Sequence, residues 1–470
     1  MMKKNRVFLN KVNKHTENKD VTDYLEQLSK YSNIPIEIIK TDYKQYIARK
    51  HNFLSRTVDV KAGYYEIFKS LIKYYLTFIY VYIHSKKIEV NKKVKIIFDE
   101  VMSITEHDEL SFLIKKFPDH LFISNEDVKE NNQLKFYKRQ GYCREIIHGN
   151  FIQIFFKITW ISFKYSRKTN NNLINFSNYV VNQKLKYETI FSKYKSDIFF
   201  QFRFYTTSAI RNYLFKKNGG KLCCTFQRIL IHLGRTGYFI DTDILFSLGK
   251  KSAELISDTD SNFKEIVPVG SLILEKFWFN TKKLTAPSYD ILFIGGNHGT
   301  FLATDEKYMS NYYENLKWLS KFSKKFPKIS IALKHHESWK NELHFDKKED
   351  EILNGSFIKK IYKTEQGPKN KSYGYAFNSK VCLSWNSTMV FELLGHKIPA
   401  YFLDPNLEND GWFLNSNYTL PWRIDSYENF EKKMIKIIIN NKKDIVQNSE
   451  NFCLKSENTS QNIFDKLKNI

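Results

Sequence analysis

The stretch VCLSWNSTMVFELLGHKIPAYFLDP, residues 381–405, reads as strand, tight loop, helix and strand again, with Gly395 at the helix end. A strand–helix–strand unit of this length is a parallel crossover. The segments before it extend the same pattern. DILFIGG (290–296) is a strand running into a glycine turn. YYENLKWLSKFSKKFP (312–327) sets Leu316, Leu319 and Phe322 at helical spacing and stops at Pro327. KISIALKHHES (328–338) is a strand emptying into a polar loop. Open sheets of this kind bind ligands beyond the carboxyl ends of their strands, where the polar clusters of this half fall.

Upstream, VKIIF (94–98), HLFIS (120–124), DIFFQF (197–202), KLCCTF (221–226) and ILFSLG (244–249) are short, β-branched or aromatic runs. Segments long enough for crossover helices separate several of them, which predicts a second doubly wound sheet. EIVPVGSLILEKFWFNTKKLTAPSYD (265–290), with Pro268, Gly270 and Pro287, is read as the stretch that closes the first set. The expected fold class is α/β, with two Rossmann-like domains facing a cleft and a helical N-terminal extension. The expected divisions are residues 1–90, 91–285 and 286–425. Residues 426–470 are read as C-terminal helices packing back across the boundary.

Lys and Arg number 74 against 50 acids, a net charge of +24. Such a bias attracts anions in general, but the densest basic runs are doublets such as Lys250-Lys251, too short for a nucleic-acid stripe. The five cysteines are scattered without a CxxC pair, which argues against a disulfide framework or a structural zinc site. No apolar stretch follows the basic N-terminus as a secretory signal requires. Two apolar runs, Tyr74 to Ile83 and Phe151 to Phe163, are shorter than the ~20 residues that span a bilayer and are read as buried helices. Docking on a membrane surface stays open.

Five clusters carry candidate chemistry. Ser384, Asn386, Ser387 and Thr388 precede a helix whose first N–H groups suit a phosphate. Glu392, four residues after Thr388, shares its helix face and suits ribose hydroxyls; a solvated Glu is the plain alternative. Lys334, His335 and His336 end a strand, where a cation and an imidazole can stabilise a leaving phosphate. Adjacent residues on an extended segment point oppositely, so one histidine is expected to face the ligand. Gly296 and Asn297 allow close backbone approach. Asp99 and Glu100, or Glu126 and Asp127, end strands of the first half and are candidates for the base that deprotonates an acceptor. Asp241 and Asp243 form an Asp-x-Asp pair of the type that holds a divalent metal on a diphosphate, or else edge the sheet.

VPVGS (267–271), LKHHES (333–338), SYGYAF (372–377) and SWNSTMVFELLGHKIPAYFLDP (384–405) together resemble bacterial surface-carbohydrate (capsule and lipopolysaccharide) glycosyltransferases of the GT-B class. The chain is similar there to bacterial sialyltransferases and Kdo transferases. The resemblance implies a GT-B-like fold and a nucleotide-sugar donor, with a CMP-sugar as one option. It also implies phosphate binding by His335 or His336 and by Ser387 with Thr388. The chain departs from the family pattern in lacking a proline after the histidine and an acidic-acidic-Gly motif after Asp99.

The expected activity is metal-independent transfer of a sugar to a surface polysaccharide or glycolipid acceptor. No cofactor, metal or nucleic-acid partner is expected. The expected location is cytoplasmic, with peripheral contact at an anionic inner membrane face. The alternatives are a metal-dependent transferase using Asp241 and Asp243, a sugar-nucleotide epimerase on the same fold, and a basic nucleic-acid-binding protein.

Overall fold

The computed structural model describes residues 2–50, 63–84, 92–99, 109–124, 136–138, 151–228, 237–251, 259–280, 289–295, 306–335, 343–361, 371–384, 387–405, 423–442, 444 and 448–470. Within them lie two parallel sheets. The first contains β1 (Lys92–Asp99), β2 (His120–Ser124), β3 (Phe136–Lys138), β4 (Tyr194–Gln201), β5 (Leu222–Phe226), β6 (Asp241–Ser247) and β7 (Asn262–Pro268). The second contains β8 (Tyr289–Ile294), β9 (Ile331–Lys334), β10 (Ile358–Ile361), β11 (Ser379–Ser384), β12 (Ala400–Leu403) and β13 (Arg423–Ile424).

The strand orders are β3-β2-β1-β4-β5-β6-β7 and β10-β9-β8-β11-β12-β13. Each sheet therefore starts in the middle, winds out to one edge and crosses back, the Rossmann-like order. The reversals fall between β1 and β4, where Asp99 pairs with Gln201, and between β8 and β11, where Ile294 pairs with Ser384. The expected α/β class, with two Rossmann-like sheets, is present.

The helices are α1 (Met2–Thr16), α2 (Lys19–Ser32), α3 (Ile36–Lys50), α4 (Tyr64–His84), α5 (Ser111–Ile114), α6 (Phe151–Thr169), α7 (Leu173–Lys193) and α8 (Ala209–Lys217) in the first half. They continue with α9 (Leu272–Asn280), α10 (Glu306–Lys325), α11 (Leu343–Leu353), α12 (Lys371–Phe377), α13 (Met389–Gly395), α14 (Tyr427–Met434) and α15 (Thr459–Leu467).

Strand side chains alternate between faces, and both faces of the first sheet are buried. Ile97, Phe199 and Cys223 point into a core shared with α1–α3, α6 and α7. Ile96, Phe98, Phe200 and Cys224 point the other way, into a core continuous with that of the second sheet.

Two local readings change. The stretch 265–290 contains the end of the edge strand β7 and all of helix α9. Pro268 is tolerated because β7 pairs on one side only, with β6. The runs Tyr74–Ile83 and Phe151–Phe163 lie on α4 and α6, but Leu76, Ile79, Phe156 and Trp160 are exposed rather than buried. Gly395 ends α13 as read, and the left-handed residue of the turn is Lys397, at φ 57°. Gly395 also lets the C-terminal chain pass, since a Cβ there would lie 2.5 Å from the Cys453 carbonyl oxygen.

That C-terminal chain ties the halves together. Leu454 donates its N–H to the Leu248 carbonyl at 2.9 Å. Helix α15 then lies on the first half, with Phe464 against Phe117 at 5.2 Å between ring centroids. Lys466 pairs with Glu265 at 2.7 Å, and Glu275 of α9 accepts from the Ser460 N–H at 2.9 Å and its hydroxyl at 3.0 Å.

Candidate functional site

At the reversal of the second sheet, the Ser384 hydroxyl donates to the Ile294 carbonyl at 2.9 Å and clamps the ends of β11 and β8 together. Beside it, the Gly295 N–H donates to the Lys334 carbonyl at 2.9 Å. A Cβ on Gly295 would sit 3.3 Å from that oxygen, so glycine keeps the β8 and β9 ends in contact. Lys334 is buried, and its ammonium donates to the His335 carbonyl at 2.7 Å. Gly296, Asn297 and Asn386 lie outside the described residues.

Ser387 and Thr388 are half-buried immediately before α13. The Ser387 hydroxyl accepts the Met389 N–H at 3.3 Å, a local turn just before the N-cap residue Thr388, whose own side chain makes no cap bond. Helix α13 has seven residues, so its contribution to an anion is limited to the N–H groups of one turn.

Glu392, one turn further on, is buried. Its carboxylate accepts hydrogen bonds from the Ser271 hydroxyl and from the Tyr373 hydroxyl, the latter at 2.6 Å. Burial pushes the Glu392 carboxyl up, while the Ser271 and Tyr373 hydroxyls and nearby Arg228 oppose that shift and Glu109 adds to it. Burial, then the Glu392 charge, raises the Tyr373 phenol well above its usual range.

The first half contributes to the same region. Arg228, two residues past β5, donates two hydrogen bonds to Glu109 at 2.8 and 3.1 Å, and its guanidinium lies 5.2 Å from the centre of the Phe202 ring. A solvated Glu392 is excluded by this burial. Its oxygens face protein hydroxyls, so a ribose would have to displace one of them.

Three of the motifs read from the sequence thus converge: Ser271 ends VPVGS, Tyr373 lies in SYGYAF, and Glu392 follows SWNSTMVF. Their contact was not legible, because 121 residues separate Ser271 from Glu392. Arg228 and Glu109 carried no motif at all.

LKHHES forms a separate cluster. His335 is buried, with its Nε2 2.9 Å from one Glu349 oxygen and 3.2 Å from the other. Glu349, on α11, also accepts from the Tyr312 hydroxyl at 2.5 Å and lies 3.4 Å from the Lys360 ammonium. His335 therefore binds β9 to α10 and α11. The expectation of a phosphate-facing imidazole passes to His336, which lies outside the described residues.

In the first half, Asp99 is turned to the helices instead of out from the strand end. Its carboxylate accepts from Tyr187 of α7 at 2.8 Å and from the Arg211 guanidinium of α8 at 3.0 Å, with no exposed surface. Arg211 in turn stacks over the Tyr187 ring at 4.9 Å. Glu100, Glu126 and Asp127 lie outside the described residues.

Asp241 and Asp243 sit at the amino end of β6, opposite the carboxyl ends beyond which open sheets of this kind bind ligands. Asp243 is bonded by Lys216 at 2.7 Å, Lys264 at 2.9 Å and the Cys223 N–H at 2.8 Å. Burial works to raise its carboxyl, but these three donors hold it below the ordinary range. Its charge is already neutralised. Among the described residues no cluster of three or more His, Cys, Asp or Glu is placed to hold a metal.

No protein-family model matches the sequence, and no curated protein matches it. Solved structures are similar in chain arrangement. The Staphylococcus aureus MnaA–UDP co-structure has 11% identity and a TM-score of 0.49, with 80% of this chain and 96% of that one covered. UDP-GlcNAc 2-epimerase from Neisseria meningitidis bound to UDP-GlcNAc has 13% identity and a TM-score of 0.44, with 80% and 100% covered. The wall teichoic acid polymerase TagF has 12% identity and a TM-score of 0.48, with 87% and 98% covered.

Proposed function

We propose that the chain is a glycosyltransferase that moves a sugar from a nucleotide-sugar donor to a glycan or glycolipid acceptor. The observation that carries this reading is the meeting of Ser271, Tyr373 and Glu392 beside the reversal of the second sheet. Ligand crevices in such sheets lie at that reversal. The donor nucleotide is assigned to the second half. Ser387 and Thr388, with Asn386, Gly296 and Asn297, bind its phosphate, and Ser384 and Lys334 fix the strand ends that carry them. Glu392 contributes to the ribose site when Ser271 or Tyr373 yields its place.

In the transfer, the acceptor oxygen bonds to the anomeric carbon and the bond from that carbon to the phosphate oxygen breaks. The electron pair leaves with the nucleotide, and the acceptor proton passes to a carboxylate. Asp99 is committed to Arg211, so Glu100 is the assigned base. His336 supports the departing phosphate. No metal is assigned a role, because Asp243 already faces two lysines.

The test is to incubate the full chain with CMP-, CDP-, UDP- and GDP-sugars, with and without glycolipid or polysaccharide acceptors. Nucleotide release that needs the acceptor and persists in EDTA supports the reading. Isomerisation of a donor without acceptor points to an epimerase and overturns it. Loss of activity in EDTA, restored by Mn, overturns its metal independence.

A further inference from the structure

The proposed chemistry leaves one large feature unused: the outer face formed by α4 and α6. These helices run antiparallel, with Tyr75 packed against Phe156 at 6.3 Å and Arg167 over the Tyr64 ring at 5.9 Å. Their inward stripe is anchored by Tyr74 and Phe78 stacked on Phe155 at 4.6 and 4.0 Å. Their outward stripe is also apolar. Tyr65 is 77% exposed, Phe68 57%, Leu76 61%, Phe156 55% and Trp160 68%. Contiguous exposed apolar surface of this kind marks an interaction site.

The charges interleaved with it are cationic but for one acid. Lys69 and Lys73 on α4, and Lys157, Lys164, Arg167 and Lys168 on α6, are all exposed. Glu66 is the one acid on either helix. On α6, Phe156, Trp160, Lys164 and Lys168 follow one another every four residues, so rings and cations share one face.

We propose that this α4–α6 face docks on an anionic lipid bilayer. Aromatic rings with polar tips sit well at the headgroup boundary, and lysine stems reach anionic headgroups from the same depth. No described helix is long and apolar enough to cross a membrane, so the helices lie in the plane of the surface. A second copy of the chain is the other candidate occupant. A two-fold contact sets the same patch on both partners, so lysines would meet lysines; a bilayer with anionic headgroups presents the opposite charge. The inference rests on the packing of these two helices and not on sugar transfer.

The experiment is co-sedimentation of the full chain with phosphatidylcholine vesicles, with and without phosphatidylglycerol. Two variants accompany it: Phe68→Ser/Phe156→Ser/Trp160→Ser, and Lys157→Glu/Lys164→Glu. All five positions are exposed, and melting temperature verifies folding. The wild type is expected to bind the anionic vesicles about tenfold or more tightly than neutral ones, with loss at high salt. Each variant is expected to lose about tenfold. Brominated acyl chains should also quench the wild type more than Trp160→Phe, which reads the contact without a disruptive change. Absence of anionic-vesicle binding by the wild type, or binding by both variants as tight as the wild type's, overturns the proposal. A wild-type dimer that the triple variant converts to monomer, with no vesicle binding by either, assigns the face to a second copy instead.

Discussion

Glu392 takes hydroxyl donors from two segments that lie 121 and 19 residues away in sequence. Glu392→Ala leaves both hydroxyls buried without their acceptor and should cost about 1–3 kcal/mol of stability by denaturant unfolding. No change would mean that the cluster opens to water in solution. Asp99 supports a sharper test. Asp99→Ala strands the Arg211 guanidinium in the interior and should cost about 3–5 kcal/mol, much of it regained in Asp99→Ala/Arg211→Met. A catalytic base would instead give a stable Asp99→Asn protein with a lost kcat. His335, Ser384 and Glu392 were legible, because His335 directly follows one apolar strand, Ser384 ends another and Glu392 follows the apolar start of α13. Their partners were not. Glu349, Ser271 and Tyr373 reach them through folding, and nothing local in the sequence marks such a meeting.

Among elements, the buried strands were legible because β1, β2, β4, β5 and β6 are apolar on both faces. Edge strand β7, NFKEIVP, mixes polar and apolar residues without a two-residue period and ends in a proline, so it did not stand out. The outward faces of α4 and α6 were misread for the reverse reason: hydrophobicity alone does not say which stripe is covered. The C-terminal stretch reads as helices packing back across the boundary, but where it docks was not legible, since that depends on glycines elsewhere. Gly395→Ala drives a Cβ into the Cys453 carbonyl and should destabilise by about 1–3 kcal/mol, read as a lowered denaturation midpoint. A neutral result would show that the 453–456 segment can step aside.

Glu275 makes the docking of α15 sensitive to pH. Burial raises its carboxyl from 4.5 to about 7, against the opposing pull of the Ser460 N–H and hydroxyl and of Lys116. A carboxyl raised on folding contributes stability that is full below its unfolded value and is lost as pH rises through the folded one. Relative to Glu275→Gln, the wild-type melting temperature should therefore fall between about pH 5 and about pH 8. Parallel pH profiles for the two proteins would contradict this.

Across the whole molecule, two sheets wound in the same order share one continuous core, and the C-terminal segment returns from the second to the first. The Arg228–Glu109 pair from the first half and Glu392 from the second are close enough to influence each other electrostatically. A ligand bound on the second half therefore acts at the seam between them. The net charge of +24 favours an anionic ligand in general, and the proposed phosphate site rests instead on the residues at the strand ends.

The most direct measurement of that claim is thermal unfolding with CMP, CDP, UDP, GDP and their sugars. A ligand held at about 100 times its Kd adds about 2.7 kcal/mol of stability. One nucleotide series should raise the melting temperature of the wild type. Ser387→Ala/Thr388→Ala, folded and equally stable without ligand, should bind about 1–3 kcal/mol more weakly. If no nucleotide or nucleotide-sugar shifts the wild type, or if the double variant responds as the wild type does, the donor site is not at the end of β11.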